Sequence, residues 1–222
     1  MKATSQETAY NHILNNIVAG KHQPNEPLRE EWIAKECGLS STPVREALRR
    51  LEREGWVESV PYRGSFIKSF SRQELEELFL MRQAMECLAA RQAARNAAPE
   101  DLAKARAAVA RELEYIQALP SGDVLPPPVD PDVDFHNGIM ESSRFFSPAH
   151  YISTWNLQLR SIVTSAPLRL TLAELLDIND QHRSILKCVE RKWESAAEEL
   201  MKCHLTYART KYMERYDEVS GK

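Results

Sequence analysis

The sequence predicts a mainly α protein: an N-terminal winged helix-turn-helix (helices plus a two-stranded wing) followed by an all-α helical bundle. Three observations predict it. Residues 38–56 read GLSSTPVREALRRLEREGW, a tight turn and then an amphipathic helix carrying arginines on its outer side. Residues 57–68 are short and rich in β-formers, interrupted by an Arg-Gly turn. From residue 71 onward, apolar residues recur at helical spacing with no alternating strand pattern and no internal repeat.

The first half builds up in order. Thr4 and Glu7 have capping-box spacing, and Ala9, Ile13, Leu14 and Ile17 follow at helical intervals until Gly20 stops the helix. A second short helix is expected over 30–37, with Trp32, Ile33 and Ala34 giving its buried side. Gly38-Leu39-Ser40 is the turn. The third helix is expected to begin near Pro43, capped by the Thr42 hydroxyl, because proline's missing donor costs nothing at the first helical position. Val44, Ala47, Leu48 and Leu51 fall on one face, and Gly55 ends the helix. Trp56, Val57 and Val60 then lead into Pro61-Tyr62-Arg63-Gly64, and Phe66 and Ile67 lead out, with Gly64 able to take positive φ.

Arg45 and Arg49 share a side of the third helix. A guanidinium fork suits bidentate contact with guanine O6 and N7, or a clamp on phosphate, so two in the first turns fit a groove-facing surface. The alternative is a solvated helix of alternating charge, since Glu46, Glu52 and Glu54 lie among the arginines. The turn before and the wing after favour DNA, as a winged helix-turn-helix.

The segment over 28–67 resembles the DNA-binding domain of the GntR family of bacterial transcriptional regulators in its SxTPVREALxRLExEG core and its Arg-Gly wing turn. The resemblance implies that Arg45 and Arg49 contact a double-stranded operator and that Gly64 lets the wing approach the DNA backbone. Arg63, beside that glycine, is assigned a minor-groove or phosphate contact. Ser41 and Thr42 complete the DNA-binding set. The family commonly has arginine where this chain has Ser41, which implies a different operator preference.

The chain's 222 residues and 43% hydrophobic content suffice for two cores, assigned to a DNA-binding domain over 1–70 and a helical domain over 71–222. A net charge of −3 over the whole chain argues against nucleic acid only until it is divided. Residues 1–70 hold ten basic against nine acidic side chains, so the remainder carries the acidity. The basic signal is local, four arginines between Arg45 and Arg53. Cys37, Cys87, Cys188 and Cys203 show no metal-type pairing and are expected reduced and buried. The N-terminus has no apolar signal core and no run is long enough to span a membrane, so a cytoplasmic protein is expected.

In the second half Ser71 and Glu74 form another capping box, opening a helix to about Asn96. Further helices are expected over 99–119, 131–143, 148–164, within 172–191, and over 192–216. The stretch 120–130, with three consecutive prolines at 126–128, is expected to be a non-helical loop.

Asp132 and His136 are four apart, about 40° around a helix axis, hence on one face. His182 and His204 stand on later helices among apolar neighbours. Three imidazoles and a carboxylate suit a borderline divalent ion such as zinc or nickel. Against this, acidic residues in a first helical turn are favoured by the helix dipole without a metal, and a lone histidine in a bundle is more often a packed core residue.

Residues from about 71 to 214 look like the FCD domain, the helical effector domain of the FadR branch of the same family. Its ligand pattern is an Asp, a His four later in an FH pair, and a His on each of two further helices. Carried onto this chain, these are Asp132, His136 after Phe135, His182 and His204. Where the family often has an asparagine nine residues past the FH histidine, this chain has Phe145; His150 is read as a loop residue.

The resemblance implies a metal facing a cavity that takes a small organic acid, and a regulator of this kind is expected to be a homodimer that reads a pseudo-palindromic operator. Cationic effector anchors are sought in Arg82, on the apolar stripe of its helix, and Arg160. Arg82 serves equally well as an i,i+4 partner of Glu86. The reading is thus a ligand-responsive transcriptional regulator and not an enzyme. The alternatives are a metal-dependent enzyme acting on a small carboxylate, or a regulator whose metal is purely structural.

Overall fold

The computed structural model describes residues 4–18, 21–119, 129–144 and 170–220. Gly20, most of the proline-rich stretch, the helix expected over 148–164, and with it Phe145, His150 and Arg160 lie outside the described residues. Within them the chain forms α1 (Ser5–Val18), β1 (Pro27–Leu28), α2 (Glu30–Cys37), α3 (Ser41–Arg53), β2 (Val57–Val60), β3 (Gly64–Ile67), α4 (Arg72–Asn96), a 3-10 turn (Pro99–Leu102), α5 (Ala103–Ala118), α6 (Val129–Ser142), α7 (Leu172–Glu190) and α8 (Glu194–Ser220). The fold is mainly α, a winged helix-turn-helix and then a helical bundle. The described residues fall into two compact units, one ending at Phe70 and one starting at Ser71. No helix among them is long and apolar enough to cross a membrane.

In the first unit the Thr4–Glu7 box is made in both directions, Glu7 N–H to Thr4 Oγ1 at 3.1 Å and Thr4 N–H to Glu7 Oε2 at 2.8 Å. Ala9, Ile13 and Ile17 of α1 close on Val44, Ala47, Leu48 and Leu51 of α3, with Trp56, Val57 and Ile67 completing one buried core. Gly38 adopts φ 65° and turns the chain between α2 and α3. The two strands of the wing, β2 and β3, are joined by β1 into a three-stranded sheet, order β1-β3-β2, with Leu28 opposite Ser65 and Val57 opposite Ile67. A two-residue strand containing proline is too short to show alternation.

Helix α3 starts at Ser41, two residues before the expected Pro43. Ser40 is the N-cap, and the cap makes no side-chain hydrogen bond, so Thr42 is a helical residue and not the cap. The first N–H groups of a helix have no intrahelical acceptor, so proline is tolerated anywhere in the opening turn, not only at its first position. The same displacement recurs in α6, which begins at Val129 with Pro131 as its third residue. The last two residues of the stretch expected to be a loop are therefore helical.

In the second unit the Ser71–Glu74 capping box opens α4, which ends at Asn96 as expected. Its alanine-rich second half, with Ala89, Ala90, Ala93 and Ala94 buried, permits close approach of neighbouring helices. A further box, Thr171 with Glu174, opens α7. Helix α8 starts at Glu194, later than expected, because Lys192 takes φ 62° in the intervening turn. Gly138 of α6 lies so close to α5 that a Cβ there would sit 2.7 Å from the Ala105 nitrogen. All four cysteines are free; Cys87 and Cys188 are buried, whereas Cys37 is half-buried and Cys203 exposed, contrary to the expectation that all are buried.

Candidate functional site

Three helices of the second unit bring the expected ligands together. Asp132 and His136 project from α6, His182 from α7 and His204 from α8. The ligand atoms of all four lie within 4.8 Å of one another. His204 Nε2 is 3.2 Å from both His136 Nε2 and His182 Nε2. Asp132 Oδ1 lies 3.7 Å from His182 Nε2 and 3.9 Å from His136 Nε2. The three histidines are buried and Asp132 is partly open, with 35% of its side chain exposed. Phe135 stacks on the His182 ring at 4.1 Å and walls the cluster from within.

Each imidazole is held from behind. His136 Nδ1 meets Glu86 Oε2, His182 Nδ1 meets Glu112 Oε2 at 3.0 Å, and His204 Nδ1 meets Gln181 Oε1 at 2.9 Å. Carboxylate and amide oxygens accept, so the proton belongs on Nδ1 and every Nε2 presents a lone pair to the centre. Three lone pairs at this spacing repel one another unless a cation is shared among them. Donor atoms about 2.1 Å from one ion lie roughly 3.0–3.4 Å apart, close to the separations here. Burial, and then the neighbouring His182, His136 and Arg82, hold the His204 imidazole well below its ordinary value and therefore neutral. The cluster is compatible with a divalent metal site.

The supporting carboxylates were not legible as parts of a site. Glu112 is 1% exposed and also accepts from Asn179 Nδ2 at 2.8 Å. Glu86 is fully buried; its Oε1 accepts from Arg82 Nε at 2.5 Å while its Oε2 faces His136. Burial alone would raise the Glu86 carboxyl, but Arg82 and His136 outweigh it and bring it down to about 2. The i,i+4 pair read as one option for Arg82 is thus formed, and through Glu86 it ends on His136. A charge inside the apolar periodicity of α4 or α5 was the available signal.

In the first unit Arg45 and Arg49 project from α3 with 55% and 61% of their side chains exposed. Arg45 is gripped by Glu30 of α2, its Nε at 3.2 Å and Nη2 at 3.0 Å from Oε2. Arg49 reaches Glu46 at 3.1 Å. Arg50 turns inward instead, over the Tyr10 ring at 3.8 Å and onto Glu54 at 3.0 Å. Ser41 is half-buried and Thr42 exposed at the start of α3. At the wing, Gly64 has φ 95° and Arg63 lies over the Phe66 ring at 5.1 Å.

Comparison with known proteins agrees with both halves. Residues 5–67 match the model of bacterial regulatory proteins of the gntR family, and residues 77–207 match the FCD domain. The chain is 28% identical to the HTH-type transcriptional repressor GlaR of Escherichia coli over 207 residues, covering 88% of this chain and 90% of that protein. It is 26% identical over 193 residues to a protein of Paenarthrobacter nicotinovorans named "Probable D-xylose utilization operon transcriptional repressor", covering 87% of this chain and 82% of that one. The solved structure of E. coli McbR/YncC superposes with a TM-score of 0.77 at 18% identity, over 97% of this chain and 100% of that one, which supports the fold. These relatives and fold neighbours are regulators, not enzymes, and the chain belongs to the GntR family of bacterial transcriptional regulators, with an FCD domain following its winged helix-turn-helix.

Proposed function

We propose that this regulator senses a small organic acid at the Asp132, His136, His182 and His204 cluster and thereby alters its hold on DNA. The observation that carries the reading is the convergence of three Nε2 lone pairs, each oriented by an acceptor on Nδ1, beside one partly open carboxylate. Zinc or nickel fits this borderline donor set. The ion, when bound, supplies Lewis acidity and coordination positions that a carboxylate fills.

The chain's own residues do the rest. Glu86, Glu112 and Gln181 fix the three rings, and buried Arg82 keeps positive charge beside the cluster through its pair with Glu86. Arg82 is assigned to the effector's surroundings; Arg160 keeps the same assignment from sequence alone.

In the first unit Arg45 and Arg49 read the major groove, with Ser41 and Thr42 at the helix start and Arg63 and Gly64 at the wing. Two copies, paired through the domain over 71–222, place two such helices one DNA turn apart on a pseudo-palindrome. Effector binding changes operator affinity by a coupling of about 1–3 kcal/mol, roughly 5- to 150-fold. The names of the two relatives favour repression, and the setting is the cytoplasm.

The test is the melting temperature against a panel of small carboxylic acids, with and without a chelator. An acid present at 100 times its dissociation constant stabilises by about 2.7 kcal/mol. A rise with one acid that the chelator abolishes supports the reading. A chelator that lowers the melting point while no acid raises it leaves a purely structural metal. Turnover of an acid without operator binding overturns the regulatory reading altogether.

A further inference from the structure

The wing turn holds a residue that its backbone does not favour. Arg63 N–H donates to the Val60 carbonyl at 3.0 Å, closing a four-residue turn with Pro61 second and Tyr62 third. Tyr62 has φ 64°. Proline second and positive φ third is the type II pattern, whose third position is normally glycine or asparagine. A bulky residue there is strained by contact of Cβ with the carbonyl.

Nothing among the described residues repays this. Three other non-glycine residues among those described have positive φ: Asn25, Arg144 and Lys192. Asparagine tolerates the conformation, Arg144 binds Asp101 at 2.8 Å, and Lys192 donates to the Ala97 carbonyl. The Tyr62 ring is fully exposed, at 108% of its reference area. Strained residues held without internal return cluster where a partner is bound. The partner that meets a wing tip flanked by Arg63 and Gly64 is the edge of a DNA duplex.

We infer that Tyr62 is a DNA-backbone anchor, its ring lying against deoxyribose and its hydroxyl donating to a phosphate oxygen. This rests on the DNA-binding reading of the first unit. A neutral donor of this kind positions the protein without reading sequence and displaces no counterion.

The test compares full-length wild type, Tyr62→Phe, Tyr62→Gly and Arg63→Ala on duplexes that the wild type selects from a randomised library. Tyr62→Phe should bind about tenfold more weakly, the value of one hydrogen bond to a charged acceptor. Tyr62→Gly should bind more weakly still while melting no lower than wild type, because glycine relieves the turn. Neither should change the slope of affinity against salt, whereas Arg63→Ala should reduce it by about one. Wild-type affinity in both Tyr62 variants overturns the anchor and leaves the DNA reading standing. A lower melting point for Tyr62→Gly overturns the strain argument on which the anchor depends. A wild type that selects no duplex removes both.

Discussion

Arg45 of α3 donates to both carboxylate oxygens of Glu30 at the start of α2, at 3.0–3.3 Å. The pair joins the two helices across the turn at Gly38 and holds the guanidinium in one orientation in the absence of DNA. Ordering a long side chain on binding costs about 0.5–1.5 kcal/mol, and here that ordering is already in place. Glu30→Gln should therefore bind random-sequence DNA more tightly, having lost a negative charge, yet discriminate less, its ratio of selected to random duplex falling up to about tenfold. Arg45→Ala should lose the discrimination itself. Fluorescence anisotropy with both duplexes measures the two quantities, and an unchanged ratio in Glu30→Gln would sink the positioning role.

Behind the cluster of Asp132, His136, His182 and His204, Glu86 is, among the described residues, the carboxylate shared by His136 and a buried arginine. Glu86→Gln keeps the shape but offers an amide, and one that turns its NH₂ toward His136 inverts the hydrogen bond that fixes the imidazole. Loss of such a supporting contact typically lowers metal affinity 10–100-fold. Competition against a chromophoric chelator should show that loss for zinc or nickel. Equal affinity in the variant would mean that Glu86 does not support metal binding through His136.

What was legible in the sequence was what local chemistry dictates. The two capping boxes at Thr4 and Ser71, the positive φ at Gly64, and the helical stripes of α1, α3 and α4 follow from residues within a turn of one another. The cluster of Asp132, His136, His182 and His204 was legible by resemblance and by histidines set among apolar neighbours. Its supports were not, because Glu86 and His136 are 50 residues apart and Glu112 and His182 are 70 apart. No spacing rule joins pairs that only packing brings together. The helices begin two residues before Pro43 and Pro131, because the rule for the first helical position is stricter than the physics of an unpaired first turn. The left-handed backbone of Tyr62 is not legible, because tyrosine gives no hint of it.

Gly138 sets the distance between α5 and α6, and so the position of Asp132 and His136. Within a helix, alanine is favoured over glycine by about 1 kcal/mol, so propensity alone predicts that Gly138→Ala stabilises. The added Cβ would stand 2.7 Å from the Ala105 nitrogen and 3.0 Å from its Cα, backbone atoms that cannot rotate away. Overpacking of this kind costs about 1–3 kcal/mol and should win. The variant should melt lower by a few degrees and bind metal more weakly. A higher melting point would show that α5 and α6 separate freely.

Glu174 ties the start of α7 to α8. Its Oε1 takes Lys211 Nζ at 2.7 Å, and its Oε2 accepts the Thr171 N–H at 2.8 Å. Lys211, the Thr171 N–H and the Thr171 hydroxyl outweigh burial and lower the carboxyl to about 2. A carboxyl that is more acidic folded than unfolded contributes stability at pH above the ordinary value of about 4.5, and loses it as pH falls toward 2. Both side chains remain partly exposed, so solvent screening limits the pair to about 0.5–1 kcal/mol. Glu174→Gln keeps an oxygen for the cap but removes the charge. At pH 7 it should melt about 1–4 °C below wild type, and the gap should close progressively between pH 4.5 and pH 2. Calorimetry across that range distinguishes the ion pair from the cap, since a gap that persists at low pH would belong to the Thr171 hydrogen bonds and not to Lys211.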